Sequence, residues 1–147
     1  MNTPARILIV EDNPDDEALL MRQLKKAELH EHIKAIHDGG EALKYLTDDQ
    51  SDSSTLAAVF LDLKLPTISG LKLLTAIRSD DRLRHLPVIV MTSSNSPKDL
   101  QKCKDLGVFS YVAKPLTFSS FAKAFADTYH TTRNGTPAEA VPHSVME

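Results

Sequence analysis

A chain of 147 residues, 41% apolar and 25% charged, has the length and composition of one well-packed globular domain, which excludes the collagenous, disordered and disulfide-built classes. Its 17 Lys and Arg against 20 Asp and Glu give a formal net charge of −3, too weak an imbalance to steer the protein to nucleic acid or to an anionic membrane. The lone Cys103 has no intrachain partner and fits a reducing cytoplasm, and no stretch reads as an export signal or as the ~18 apolar residues of a membrane span.

Short β-branched runs alternate with amphipathic stretches, a pattern that predicts a parallel sheet covered by helices. The first strand is Ile7 to Val10. Asn13-Pro14-Asp15-Asp16 then supplies an N-cap residue, proline at the first helical position and acids in the first turn, so a helix is expected to about Glu28. Its apolar side is Ala18, Leu19, Leu20, Leu24 and Ala27. A second strand, Ile33 to Ile36, precedes Gly39-Gly40 and a helix over Glu41 to Leu46, and the polar stretch Asp48 to Thr55 reads as a solvated loop.

Val59 to Leu61 is the third strand, and Ser69-Gly70 opens a helix whose inner positions are Leu71, Leu74 and Ile77. Val88 to Met91 follows as the fourth strand. Ser96-Pro97-Lys98-Asp99 is a helix N-cap signature, with Gly107 as the stop. Val108 to Ala113 is the fifth strand, and a fifth helix is expected from Thr117 to His130, with Phe118, Phe121, Ala122 and Phe125 facing inward. Residues 6–130 thus form the expected domain, and residues 131–147 a tail that is flexible or serves as a dimer arm.

In a doubly wound parallel sheet, ligands bind beyond the carboxyl ends of the strands. Glu11 and Asp12 follow the first strand, Asp62 the third, Thr92 the fourth, and Lys114 the fifth. Three carboxylates at one rim repel one another unless a cation lies between them. All-oxygen donors without nearby His or Cys favour a hard divalent ion, Mg²⁺ foremost, over zinc. Each residue also has a plainer reading. Glu11 and Asp12 suit a helix N-terminus, Asp62 a turn before Leu65-Pro66, Thr92 a cap, and Lys114 the solvent.

Taken together, Glu11-Asp12 after ILIV, Asp62 within FLDLKLPTISG, Thr92 after VIVM, Tyr111 in the last strand and Lys114-Pro115 resemble the receiver (CheY-like) domain of two-component response regulators, across residues 6–130. The resemblance implies an α/β, flavodoxin-like (βα)5 fold with a five-stranded parallel sheet in the order 2-1-3-4-5. It implies Asp62 as phosphoacceptor, taking a phosphoryl group from a phosphohistidine of a sensor histidine kinase. Asp12, Asp62 and the backbone carbonyl of Lys64 would ligate Mg²⁺, with Glu11 assisting directly or through water. Lys114 would hold a phosphoryl oxygen, Thr92 would move to the new phosphoryl group, small Ser93 would leave access to Asp62, and Tyr111 would rotate inward. Pro115 would follow a cis peptide that aims Lys114 at the site. Such a protein is a signalling phosphoacceptor rather than an enzyme.

EDNPDDEALL, FLDLKLPTISG and LPVIVMTSSNSPKDLQ further resemble single-domain regulators that serve bacterial phytochrome kinases. That resemblance implies output through protein contacts and a homodimer formed on the face of the fourth helix, fifth strand and fifth helix, near Phe109, Tyr111 and Phe125. Leu65 replaces the family's frequent methionine, a volume-conserving change. Lys64 is a departure that could tune phosphate lifetime in either direction. An aspartyl phosphatase of the haloacid-dehalogenase kind would need an acid where Lys64 stands, a flavin module would need a hydroxyl-rich cradle in place of Glu11-Asp12, and no nucleotide-binding P-loop is present. His30 and His32 read as solvated, Cys103 as a partly buried small residue, and Asp15 as an ordinary first-turn acid.

Overall fold

The computed structural model describes residues 6–26, 32–93 and 96–114. Five strands, β1 (Ile7–Val10), β2 (Ile33–Ile36), β3 (Ala58–Asp62), β4 (Val88–Thr92) and β5 (Ser110–Ala113), form one sheet in the order β2-β1-β3-β4-β5. Every pairing is parallel. The described helices are α1 (Pro14–Lys26), α2 (Gly39–Thr47), α3 (Gly70–Ser79) and α4 (Pro97–Asp105). The doubly wound flavodoxin-like sheet is therefore as expected. None of these helices is long and apolar enough to cross a membrane.

The inner strands are apolar on both faces because both are covered, and their alternation divides the core in two. Leu8, Val10, Val59, Leu61, Val88 and Val90 point to the side holding Leu46 of α2, Leu73, Leu74 and Ile77 of α3, and Cys103 of α4. Ile7, Ile9, Phe60, Ile89 and Met91 point to the other, where Leu20 and Leu24 of α1 pack. Leu19 and Met21 flank that contact, while Ala18, expected on the inner side, is exposed. In α3 Leu74 and Ile77 are buried as expected and Leu73 joins them, while Leu71 is only half-buried.

Caps set the helix starts. The Asn13 side chain accepts from the N–H groups of Asp15 and Asp16, Ser69 from Lys72, and Ser96 from Asp99. Asp38 caps α2 by accepting from Glu41, so the helix begins at Gly39 rather than at Glu41. Val108 belongs to the end of α4, since its N–H turns back to Cys103 O at 3.2 Å beside Gly107 at φ +65°, and the ladder of β5 starts only at Ser110. The polar stretch after α2 contains a 3-10 turn at Ser53–Thr55. Residues 27 and 28, the expected fifth helix, the tail and Pro115 lie outside the described residues.

Register then aligns the carboxyl ends. Val10 lies level with Leu61, Leu61 with Val90, and Val90 with Tyr111. The first residues beyond those positions therefore meet at a single rim.

Candidate functional site

Each strand along this rim carries one polar side chain out of the core. Asp62 ends β3 and is 4% exposed, Glu11 follows β1 at 0%, and Thr92 ends β4 at 0%. Polar groups at that depth need partners. Asp62 Oδ1 accepts from Lys64 N at 3.0 Å, and Oδ2 from Lys114 Nζ at 2.9 Å. The loop after β3 thus turns back on its own carboxylate. Behind it stands Gly70, where a Cβ would lie 2.3 Å from Asp62 O and 2.5 Å from Leu63 Cα, so only glycine lets α3 approach this closely.

Lys114 reaches the site because its N–H donates to Thr92 O at 2.9 Å, extending the β4–β5 register by one step. Its Nζ lies 2.9 Å from Glu11 Oε1, 2.9 Å from Asp62 Oδ2 and 2.7 Å from Asp16 Oδ2. Burial opposes the ammonium charge, but the three carboxylates outweigh it and raise the Lys114 pKa. Asp16 was not among the residues expected at the site. Its place in the first turn of α1 already had an explanation in the helix dipole, and the usable signal was its position four residues after Asp12 on the strand-facing turn.

Glu11 is the most strained member electrostatically. Burial pushes its carboxyl up to about 7 against the lowering effect of Lys114, and neighbouring Asp62 adds to the rise. Oε2 accepts from Asn13 N at 3.1 Å. Among the described residues, Oε1 has no aligned hydrogen bond despite the proximity of Lys114. A proton held more tightly in the folded chain means that this group's stabilising contribution is complete below about pH 4.5 and is lost as the pH rises through about 7. In the presence of a chelator, Glu11→Gln should therefore gain stability over the native chain as the pH goes from 4.5 to 8, by a few kcal/mol at the upper end. Urea denaturation across that range measures the difference; parallel curves would contradict it.

Oxygen atoms of Glu11, Asp12 and Asp62 lie within 4.8 Å of one another, with Asp12 exposed. Three converging carboxylates, with Asp16 beyond them, face one ammonium and so leave excess negative charge and spare lone pairs, and the all-oxygen set of Glu11, Asp12 and Asp62 fits a hard divalent cation such as Mg²⁺.

Of the remaining expected residues, Ser93 is exposed beside Thr92, and the Lys64 side chain is exposed. Tyr111 is half-buried against the α2–α4 side of the core, and burial, with Cys103 and Asp99 of α4 adding to it, raises its hydroxyl pKa. Cys103 is fully buried rather than partly so, and burial foremost pushes its thiol up to about 11, which makes it a packing residue. Asp15 is exposed and outside the acidic cluster. His32 is half-buried and, among the described residues, its Nδ1 has no hydrogen-bond partner, and His30 lies outside the described residues.

A loop on the far side of the rim was not legible either. Thr67 adopts φ +72°, rare for a β-branched residue, and is held there by donating to Asp38 Oδ2 at 2.5 Å while Pro66 O accepts from Gly39 N at 3.1 Å. The loop carrying Lys64 is thereby tied to the start of α2.

Comparison with known proteins agrees with this geometry. The model of the response regulator receiver domain matches residues 7–126. The chain is 37% identical over 121 residues to the probable methanogenesis regulatory protein FilR2 of Methanothrix harundinacea, an alignment covering 82% of this chain and 78% of that protein. Among solved structures, the bacteriophytochrome response regulator AtBRR superposes with a TM-score of 0.70 at 40% identity, covering 86% of this chain and 94% of the other. The bacteriophytochrome response regulator RtBRR gives 0.71 at 36%, covering 86% and 78%. With this sheet order, this acidic rim and this lysine, the chain belongs to the response regulator receiver domain family.

Proposed function

We propose that residues 6–130 are the receiver domain of a response regulator, followed by residues 131–147, and that Asp62 accepts a phosphoryl group from a phosphohistidine of a sensor histidine kinase. The observation that carries this reading is the Asp62 carboxylate, 4% exposed yet at the rim, oriented by Lys64 N on one oxygen and by Lys114 Nζ on the other. In the transfer, an Asp62 oxygen forms a bond to phosphorus while the P–N bond to the donor imidazole breaks, the electron pair leaving with the imidazole, which takes up a proton. Lys114 supplies positive charge where the phosphoryl oxygens gather. Glu11, Asp12, Asp62 and the backbone carbonyl of Lys64 would hold Mg²⁺, which when bound neutralises charge on the transferring group.

Thr92 and Ser93 stand at the end of β4; the Thr92 hydroxyl would move to the new phosphoryl group, and Ser93 would leave the approach to Asp62 open. Tyr111, on the adjoining strand against α4, is the candidate to change position with it. Output is through protein contacts, with a homodimer on the face of α4, β5 and the segment 117–130. Similarity to AtBRR and RtBRR supports a bacteriophytochrome as the kinase. The protein is read as cytoplasmic, binding neither nucleic acid nor membrane, and as a phosphoacceptor rather than an enzyme with its own substrate.

Intact mass after incubation with acetyl phosphate tests the central step. One phosphoryl adduct that requires Mg²⁺ is expected in the native chain and none in Asp62→Asn. An adduct of equal yield in Asp62→Asn, or one indifferent to chelator, would contradict the assignment.

A further inference from the structure

Resting on Asp62 as phosphoacceptor, we propose that Asp16 is a positioning residue, one that holds the Lys114 ammonium so that a phosphoryl group on Asp62 meets it directly. An ammonium has three N–H donors. Here each has one carboxylate within reach, Glu11 Oε1 and Asp62 Oδ2 at 2.9 Å and Asp16 Oδ2 at 2.7 Å. Glu11 follows β1 and Asp16 lies in the first turn of α1, so two elements other than β3 supply the ammonium's further partners. The third direction is toward Asp62 Oδ2.

Phosphorylation turns the Asp62 carboxylate into an acyl phosphate, one carboxylate oxygen now bridging to phosphorus, and places phosphoryl oxygens beyond it. Lys114 can pass its hydrogen bond from the Asp62 carboxylate to the phosphoryl group without leaving its two other ion-pair partners. Asp16 suits this task better than a residue at the acid cluster would. Among the described residues it stands outside the group of Glu11, Asp12 and Asp62 whose oxygens converge. Its backbone is fixed by the Asn13 cap, whose side chain accepts from Asp16 N at 3.2 Å. At 21% side-chain exposure it keeps contact with water and so holds a charge at lower desolvation cost than Glu11, which is fully buried.

Loss of Asp16 leaves Lys114 anchored by Glu11 and Asp62 alone, and both of those are wanted by the cation. The ammonium then spends less time aimed at the phosphoryl position. The expected effect is roughly that of one charge-assisted hydrogen bond, about tenfold.

The test uses the full chain with Asp16→Ala and Asp16→Asn, each in the native and the Lys114→Met backgrounds, after denaturation curves establish that all are folded. Two quantities are read with Mg²⁺ present: calorimetric affinity for beryllofluoride, a phosphoryl mimic, and the initial rate of adduct formation with acetyl phosphate. Asp16→Ala should weaken beryllofluoride about tenfold and slow the adduct similarly, with Asp16→Asn in between because its amide oxygen still accepts one bond. In the Lys114→Met background both effects should vanish. Unchanged affinity and rate in Asp16→Ala, or an equal loss with and without Lys114, would overturn the role of Asp16 while leaving Asp62 in place. A folded native chain that takes neither beryllofluoride nor phosphate would overturn the reading of Asp62, and this one with it.

Discussion

Lys114→Met is expected to cost the chelated protein about 3 kcal/mol of stability near neutral pH. Removing one partner of a buried ion pair is more damaging than never having had the pair, because the remaining charge has lost its solvent without compensation. Here two carboxylates are left in that position, Glu11 at 0% and Asp62 at 6% side-chain exposure, whereas Asp16 at 21% can be rehydrated. The loss should shrink as the pH falls and Glu11 takes up a proton, its pKa already being raised to about 7 by burial. Mg²⁺ should restore part of it by returning positive charge to the same oxygens. Urea midpoints with chelator and with Mg²⁺ give both numbers. A variant as stable as the native chain under chelator at pH 7.5 would mean that the carboxylates find other partners.

Arg78→Ala is expected to be at least as damaging, about 3–5 kcal/mol, with no involvement of the site. The guanidinium, in the last turn of α3, donates through Nε to Leu106 O at 2.7 Å and through Nη1 to Leu86 O at 2.8 Å and Arg84 O at 3.0 Å. Nη2 donates to Gly107 O at 3.1 Å. One side chain thus ties the segment before β4 to the end of α4. Burial, which lowers the Arg78 pKa, marks how far the group is withdrawn from water. Arg78→Lys should recover little, since an ammonium lacks the planar fork that serves several carbonyls at once. Thermal or urea denaturation checks the ranking. The phosphorylation rate of the remaining folded protein should be unchanged, and a large drop in that rate would show that Arg78 also shapes the rim.

Much of this structure was legible because strand burial and helix capping leave strong local marks. ILIV and VIVM read as strands covered on both faces, and Asn13-Pro14, Ser69-Gly70 and Ser96-Pro97 sit at the helix starts found. Asp62, Glu11 and Lys114 were legible as polar residues at the ends of apolar runs. Asp16 and Arg78 were not, for the same reason. An acid in a first turn and a base in a last turn each have a sufficient local explanation in the helix dipole, so their long-range partners, Lys114 and the carbonyls near β4, leave no trace in the pattern. Thr67 at φ +72° runs against local propensity, and its cause is a hydrogen bond to Asp38, 29 residues away. The displaced start of β5 has a similar origin, since apolar Val108 serves the end of α4 before the ladder begins.

The phosphoryl group itself can be located chemically. Borohydride reduces an aspartyl phosphate to homoserine, so treatment with acetyl phosphate and Mg²⁺ followed by reduction, digestion and tandem mass spectrometry names the carboxylate that reacted. Homoserine in place of Asp62, and at no other acid, is the expected result. Homoserine in place of Asp12 or Asp16, or unmodified Asp62 in chains that carried the phosphoryl adduct before reduction, would contradict the assignment of Asp62 as phosphoacceptor.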